Sequence, residues 1–324
     1  MSGSSILQYR FRNSEALSQA VNARRQTTIR QLSLNSLQCD LLLIESEPIN
    51  FTFTATSCPL HVMGAKGEGY LEFSFILQLG QQDFFVYEQA IPQTTLFGFD
   101  PIREVNLIVP SNSILCVAQI QRNAFDLCAA LMQRSDLNDR WLRTNFATVP
   151  NMIKEVQTYL EKLYATALRH PEHFTQSSSR PRLENFIPLL INSIPHPSSR
   201  LNLSLRSPRR FGLVNQAEEY MRANLEASIS LMSLCQALYT SERPLTYGFR
   251  EVYGSSPMAY LKTLRLYAVR TQLQQAEPTT TAIAEIAKRF GFRSLGHFSR
   301  DYKTMFGELP SETLKHPLKS DADP

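Results

Sequence analysis

Basic side chains recur near the C-terminal end of the sequence at spacings that place them on one side of a helix. In the stretch 291–314, GFRSLGHFSRDYKTMFGELPSETL, His297, Arg300 and Lys303 follow one another at intervals of three residues, and such residues share a helical face. Guanidinium and ammonium groups in a row suit phosphate oxygens and the acceptor atoms of base edges. An enzyme, a membrane anchor or a nucleic-acid reader could each carry basic and aromatic residues together. The secondary-structure elements that hold these residues are therefore needed to distinguish the three classes.

The opposite side of this predicted helix is apolar. Its members are Leu295, Phe298, Tyr302 and Met305. A second aromatic set, Phe292, Phe298, Tyr302 and Phe306, resembles the platforms on which single-strand binders stack bases. Because these aromatic residues share the packing face, we expect them to form a core instead.

A near-repeat of this segment precedes it in the sequence. Residues 231–257 and 281–310 each contain a short apolar helix, a turn, and a second helix that carries Phe and Arg. In the first copy the packing face holds Leu245, Phe249 and Val252, and the polar face holds Arg243, Tyr247 and Arg250. The sequence therefore predicts two helix-turn-helix units.

Gly248 lies inside the second helix of the first copy. A glycine in a helix interior costs roughly 1 kcal/mol relative to alanine. We expect the close approach of another helix to compensate for this cost.

A long helix is predicted between the two copies. Pro257 stands at its start, where proline is tolerated, and Ser256 is suited to cap it. From Pro257 to Ala276 this helix would span roughly 30 Å at 1.5 Å per residue. This length compares with the ~34 Å between successive major-groove faces of B-DNA.

The motifs that carry a family resemblance lie in the same region. They are GFREVYGSSPMAYL (248–261), LKTLRL (261–266), IAEIAKRFGF (283–292) and HFSRDYKTMFGELPSE (297–312). Residues 213–315 resemble the DNA-binding domain of the AraC/XylS family of bacterial transcription regulators. The resemblance implies base-reading positions at Arg243, Thr246, Tyr247, Arg250, Leu295, Gly296, Ser299 and Arg300, with Lys303 towards the DNA backbone. His297 is a further candidate for DNA contact, with Asp301 as its alternative local partner.

The first half of the sequence favours strands followed by helices. Strand patterns occur at 41–44, 51–56, 70–79, 83–88 and 103–110, and helical spacing runs from Asn123 to about His170. Several short strands predict an antiparallel sandwich or barrel. The family resemblance implies a cupin-like β-barrel followed by dimerisation helices. The stripe of Ile153, Val156, Leu160 and Leu163 either packs on the barrel or pairs with a second copy.

These patterns predict an α+β chain of two domains. We expect a sensor and dimerisation domain at 1–195, a linker at 196–212, an all-α DNA-binding domain at 213–317 and a tail at 318–324. Lys and Arg number 17 against 17 Asp and Glu up to residue 205, and 16 against 12 from 206 onward. The whole positive excess lies in the C-terminal part, as a nucleic-acid-binding module would show.

Cysteine and histidine usage argues against several other classes. The five cysteines are scattered without a C-x-x-C pair, which favours a reduced cytoplasmic protein without a disulfide framework. Cys116 and Cys128 lie in apolar stretches and are predicted to be small core residues. His61 is the only histidine before residue 170, so no clustered-histidine metal site is expected in the strand-rich region. No metal site, cofactor, signal peptide or membrane span is predicted for the chain.

The sequence thus predicts a cytoplasmic transcription regulator that binds a specific sequence of double-stranded DNA and is not an enzyme. The resemblance implies an activator with RNA polymerase as a partner, an unidentified small-molecule effector, and a homodimer. The alternative is a fused enzyme, whose N-terminal part modifies a small molecule or repairs a base lesion. A cysteine nucleophile would be its best route.

Overall fold

The computed structural model describes residues 5–22, 26–148, 153–174, 183–196, 210–278 and 281–315. The chain divides into two compact units. The first is rich in strands and the second is helical, so the predicted order of a β-rich N-terminal part and a helical C-terminal part is confirmed. The second unit also includes two short segments, Arg12–Ser14 and Gln31–Leu37. Most of the predicted linker, and the predicted tail, fall outside the described residues.

Two antiparallel sheets form the first unit. The larger sheet has the strand order β1-β3-β4-β11-β6-β9-β12, with bounds β1 Ser5–Phe11, β3 Cys39–Ser46, β4 Ile49–Thr56, β6 Tyr70–Gln78, β9 Thr95–Phe99, β11 Ser113–Gln121 and β12 Phe146–Thr148. The smaller sheet has the order β2-β5-β10-β7-β8, with bounds β2 Thr27–Gln31, β5 Leu60–Gly64, β7 Phe84–Val86, β8 Gln89–Ile91 and β10 Val105–Val109.

Small residues of the central strand β11 make room for phenylalanines on both sides. Cys116 pairs with Phe53 of β4 and with Phe75 of β6, and Ala118 occupies the equivalent place one step along, between Phe51 and Phe73. All of these side chains are buried. The prediction of Cys116 as a small core residue is confirmed, whereas Cys128 is only half-buried against the edge of the same core.

The first unit has five described α-helices. Their bounds are α1 Ser14–Asn22, α2 Arg122–Leu131, α3 Asp139–Leu142, α4 Ile153–Arg169 and α5 Phe186–Ser193. Of these, α2 to α5 pack in the core of the larger sheet, whereas α1 contacts β2 of the smaller sheet. Val156, Leu160 and Leu163 of α4 are buried in the core with Phe186 of α5. Of the two roles predicted for this stripe, the structure therefore shows internal packing, although the side chain of Ile153 lies outside the described part.

Seven helices follow in the described part of the second unit. Their bounds are α6 Phe211–Ala223, α7 Leu231–Ala237, α8 Glu242–Tyr253, α9 Pro257–Gln275, α10 Ile283–Arg289, α11 Leu295–Phe306 and α12 Pro310–Lys315. The predicted long helix is confirmed as α9, whose cap Ser256 accepts a hydrogen bond from the backbone N of Ala259 at 3.3 Å. Among the described residues no helix has the length and apolar character needed to cross a membrane.

The aromatic residues of the last helices form a core. Phe292, Phe298, Tyr302 and Phe306 are each less than one-tenth exposed and pack with Leu266 and Val269 of α9. The packing interpretation is confirmed, because buried rings cannot stack on bases.

Candidate nucleic-acid interface

The pair α7–α8 presents one polar helical face to solvent. Ser230 caps α7 and accepts a hydrogen bond from the backbone N of Ser233. The inner face of α8 is buried through Leu245, Phe249 and Val252, as its spacing predicts. Arg243, Tyr247 and Arg250 are exposed on the other face, and Thr246 is half-buried beside them.

Gly248 is the point at which α6 comes closest to α8. A Cβ added to Gly248 would lie 2.8 Å from Cγ2 of Val214 and 3.2 Å from Cβ of Arg210. These distances are shorter than ordinary van der Waals contacts, so the predicted close approach of a second helix is confirmed. Contact of α8 with α6 requires a residue without a side chain here.

The pair α10–α11 repeats the arrangement. In α11 the buried residues are Phe298, Tyr302, Met305 and Phe306. The exposed residues are Leu295, Gly296, His297, Arg300 and Lys303, with Ser299 half-buried. Each polar helix ends at a left-handed glycine, Gly254 with φ 68° and Gly307 with φ 80°, which stops the helix after one polar face of similar length. The ten predicted site residues thus lie in two groups, one on α8 and one on α11.

Arg210 is a residue that sequence reasoning missed. Its guanidinium carbon lies 5.7 Å from the ring centre of Tyr247, and that of Arg243 lies 5.6 Å from the same ring. Two cations beside one half-exposed aromatic ring make a positive patch at the start of α8. Arg210 lies in RSPRR (206–210), within the predicted linker, and the charge density of that stretch is the signal that points to it.

The local partner of His297 in the structure is Arg300, and not the alternative partner Asp301. Arg300 donates from Nη2 to Nδ1 of His297 at 2.6 Å, whereas Asp301 forms an ion pair with Lys262 of α9. The reason is geometric, because Asp301 faces α9 and is only partly exposed. The imidazole of His297 instead orients the guanidinium of Arg300 on the exposed face.

Two arginines of α9 hold the second helix pair and its surroundings. Arg265 donates to the backbone O of Leu225 at 3.0 Å and of Ala227 at 2.6 Å, and burial lowers its pKa. Arg270 donates to Glu308 at 2.8 Å, to the hydroxyl of Tyr302 at 3.3 Å and to that of Thr313 at 3.2 Å. The contacts of Arg270 fix α11 and α12 on α9, whereas those of Arg265 hold the segment that follows α6. Nothing in the local sequence pattern indicates either set.

A mostly buried carboxylate, 13% exposed, joins α6 to α8. Glu218 of α6 accepts hydrogen bonds from Tyr253 of α8 and from Arg222, and the ring of Tyr253 stacks on that of Tyr260 of α9 with centres 4.3 Å apart. Burial alone would raise the pKa of Glu218, but the Arg222 charge and the hydrogen bond from Tyr253 outweigh it, so this pKa lies below the ordinary 4.5. One carboxylate thereby joins three helices.

We expect Glu218→Gln to destabilise this junction by about 2–3 kcal/mol at neutral pH, because a buried charged hydrogen-bond acceptor is lost. Since the folded-state pKa of Glu218 is depressed, its stabilisation is present above the ordinary pKa and is lost as the pH falls through the folded value. Native-state hydrogen exchange of α8 amides in both proteins measures the difference. If the difference in stability between wild type and Glu218→Gln stays constant from neutral to acidic pH, the depressed pKa of Glu218 is contradicted.

Comparisons with known proteins agree with this geometry. Residues 234–316 match a family described as a helix-turn-helix domain. The chain is 34% identical over 116 residues to the "Probable thc operon regulatory protein" of Rhodococcus erythropolis, covering 36% of this chain and 35% of that protein. It is 36% identical over 102 residues to the "XylDLEGF operon transcriptional activator 2" of Pseudomonas putida, covering 31% of this chain and 65% of that protein.

A solved structure titled as a probable AraC family transcriptional regulator from Rhodopseudomonas palustris is 39% identical, with 33% of this chain and 97% of that chain covered and a TM-score of 0.31. The chain spans about a third and about two thirds of the length of the two curated relatives named above. The residues that match the helix-turn-helix family contain both α8 and α11. Through this C-terminal domain the chain belongs to the AraC/XylS family.

Proposed function

We propose that the chain is a transcription regulator that binds a specific sequence of double-stranded DNA through α8 and α11. The observation that carries this proposal is the pair of helices with one buried apolar face and one exposed basic face each, both attached to α9. We propose that α7–α8 and α10–α11 are two helix-turn-helix units, with Arg243, Thr246, Tyr247, Arg250, Leu295, Gly296, His297, Ser299, Arg300 and Lys303 at the DNA. The relatives named as operon activators support an activator, and RNA polymerase is proposed as its partner.

The test is selection of bound duplexes from a randomised pool, followed by titration of the full chain with the selected duplex. We expect one preferred sequence, with an affinity that falls steeply from low to physiological salt, because released counterions supply much of the binding free energy. No enrichment, or an affinity insensitive to salt, contradicts the proposal.

Arg243 is expected to read a base, whereas Lys303 is expected to contact the DNA backbone. Arg243 lies in the first turn of α8, and a bidentate arginine–guanine contact discriminates by ~1–3 kcal/mol. Lys303 lies two turns into α11 and is assigned to phosphate. Arg243→Ala should relax preference at one base pair, whereas Lys303→Ala should weaken every sequence and lower the salt slope by ~1. Binding of both variants to a panel of single-base changes is the measurement, and uniform losses for both would show that Arg243 reads no base.

The first unit is proposed as a cupin-like sensor and dimerisation domain. The proposed division of the chain is this domain at 1–195, a linker at 196–212, the DNA-binding domain at 213–317 and a tail at 318–324. A cavity of about 40 Å³ lies between its sheets, with walls that include Val62, Leu107 and Val117. Lys66 at its polar end already donates to the carbonyls of Gly98 and Asp100 and to Asn145. A mainly apolar effector suits the chemistry of these walls, but ligand pockets usually measure ~300–1,000 Å³, so the proposal requires the cavity to widen on binding. A thermal-shift screen of small apolar compounds against wild type and Val117→Phe tests it.

A homodimer is proposed through α2, where Leu127 is 63% and Leu131 is 77% exposed one turn apart. Sedimentation of the full chain and of Leu127→Glu tests this surface, because a charge at a helix-pair contact should shift the variant to monomer. An unchanged sedimentation coefficient removes α2 from the interface.

No catalytic activity is proposed, and a cytoplasmic location is proposed for a regulator of this kind. Burial raises the pKa of Cys39 to about 12 and that of Cys116 well above its ordinary value. A thiol with such a pKa is not ionised at neutral pH and is a poor nucleophile. The alternative of an N-terminal cysteine enzyme therefore gains no support from these two residues.

A further inference from the structure

Two histidines and a glutamate meet just beyond the C-terminal end of α4. The sequence here is His170-Pro171-Glu172-His173-Phe174, and Pro171–Phe174 form a 3₁₀ turn. Side chains at positions i and i+3 eclipse one another in such a turn. The imidazole rings of His170 and His173 accordingly stack, with centres 5.0 Å apart and planes 14° from parallel.

The ligand atoms of these three residues already converge. Nδ1 of His170 lies 3.2 Å and Nε2 of His173 lies 4.0 Å from the same oxygen of Glu172, and the three atoms lie within 4.8 Å of one another. Zinc bonds of ~2.0–2.2 Å place the ligand atoms of a tetrahedral site roughly 3.3–3.5 Å apart. Small rotations of the three side chains close the remaining gap, and each side chain is more than half exposed.

The backbone under the cluster is well anchored. The N–H of His173 donates to the carbonyl of His170 at 3.1 Å, and that of His170 donates to Thr166 at 2.8 Å. Phe174 is 6% exposed and belongs to the core of the first unit. Metal binding would therefore order few additional groups, which favours affinity. The C-terminal end of α4 also attracts a cation, although the neighbouring Arg169 opposes it.

We propose that His170, Glu172 and His173 form a surface site for a divalent transition-metal ion of the zinc type. Imidazole ligands select Zn²⁺, Ni²⁺ or Cu²⁺ over Mg²⁺ and Ca²⁺, which take oxygen ligands. Three protein ligands leave one tetrahedral position for water. The ion would tie the end of α4 to the turn that follows it. The site is independent of DNA binding. It departs from the sequence-based expectation that the chain holds no metal site, an expectation argued from the single histidine, His61, of the strand-rich region.

The test uses the full chain free of any histidine tag, titrated with Zn²⁺ by calorimetry and with Co²⁺ by visible absorption. We expect saturable binding of one ion per chain and none of Mg²⁺. His170→Ala and Glu172→Gln should each weaken binding by about 10-fold or more, since even outer-shell changes have effects of that size. His196→Ala is the matched control, because His196 is also exposed but lies outside the cluster, and its affinity should equal that of wild type.

A second readout needs no variant. Zn²⁺ should protect His170 and His173, but not His196, from modification by diethyl pyrocarbonate, as located by mass spectrometry. Absence of saturable binding, equal affinities of His170→Ala and His196→Ala, or equal modification with and without Zn²⁺ would overturn the proposal.

Discussion

Gly248→Leu is expected to destabilise α8 by about 3 kcal/mol, because even the first carbon of the new side chain would lie 2.8 Å from Val214 and the packed contact with α6 has no room for it. The higher helix propensity of leucine offsets less than ~1 kcal/mol of this destabilisation. Since α8 carries the basic face, affinity for the selected duplex should fall as well. Hydrogen exchange of α8 amides and duplex binding are the two measurements.

The matched control is Gly296→Leu on α11. Apart from its chain neighbours and the backbone of its own helix, no heavy atom of the described residues lies within 4 Å of a Cβ added at Gly296, so the same substitution should stabilise α11 by about 0.5–1 kcal/mol. The two variants thus have opposite expected signs for the same chemical change. Equal effects on stability would show that the contact of α6 with α8 does not require glycine.

Arg270→Leu is expected to cost about 2–4 kcal/mol, because it removes a buried guanidinium and leaves the hydroxyls of Tyr302 and Thr313 without this donor. The side chain of Arg270 is 8% exposed, whereas that of its partner Glu308 is 37% exposed, which keeps the loss below that of a fully buried pair. Loosening of α11 and α12 follows, and hydrogen exchange of their amides measures it.

Arg289→Leu is the control for the loss of an arginine. Arg289 pairs with Glu226, and the side chains are 50% and 55% exposed, so this substitution should change stability by no more than about 1 kcal/mol. A loss in Arg289→Leu as large as that in Arg270→Leu would mean that charge, not the buried network, sets the effect.

The second unit could be predicted well because its signals are local. The spacing of apolar residues within one helix predicts that Phe298 and Tyr302 are buried and that Arg300 is exposed. Ser256 and Pro257 indicate the start of α9. Arg265, Arg270 and Glu218 could not be identified, since each acts on residues about 30 to 40 positions away and no pattern within a helix reports such contacts.

The first unit was harder to predict. The alternation of Phe51 and Phe53 identified β4, but β11, the central strand, reads as a continuous apolar run of mixed size. Its role depends on pairing with β4 and β6, which lie far apart in sequence. The His170–His173 cluster was missed for another reason, because its geometry depends on a 3₁₀ turn in place of an α-helical continuation.

The uninterrupted helix α9 has a consequence for the evolution of the second unit. Each residue of an α-helix advances the axis by ~1.5 Å and turns it by ~100°. An insertion or deletion of one residue between Tyr260 and Arg270 would therefore rotate α11 by about 100° relative to α8 about the α9 axis, and would change their separation hardly at all. The angular phase between the two polar faces, more than the distance between them, is what the length of α9 sets.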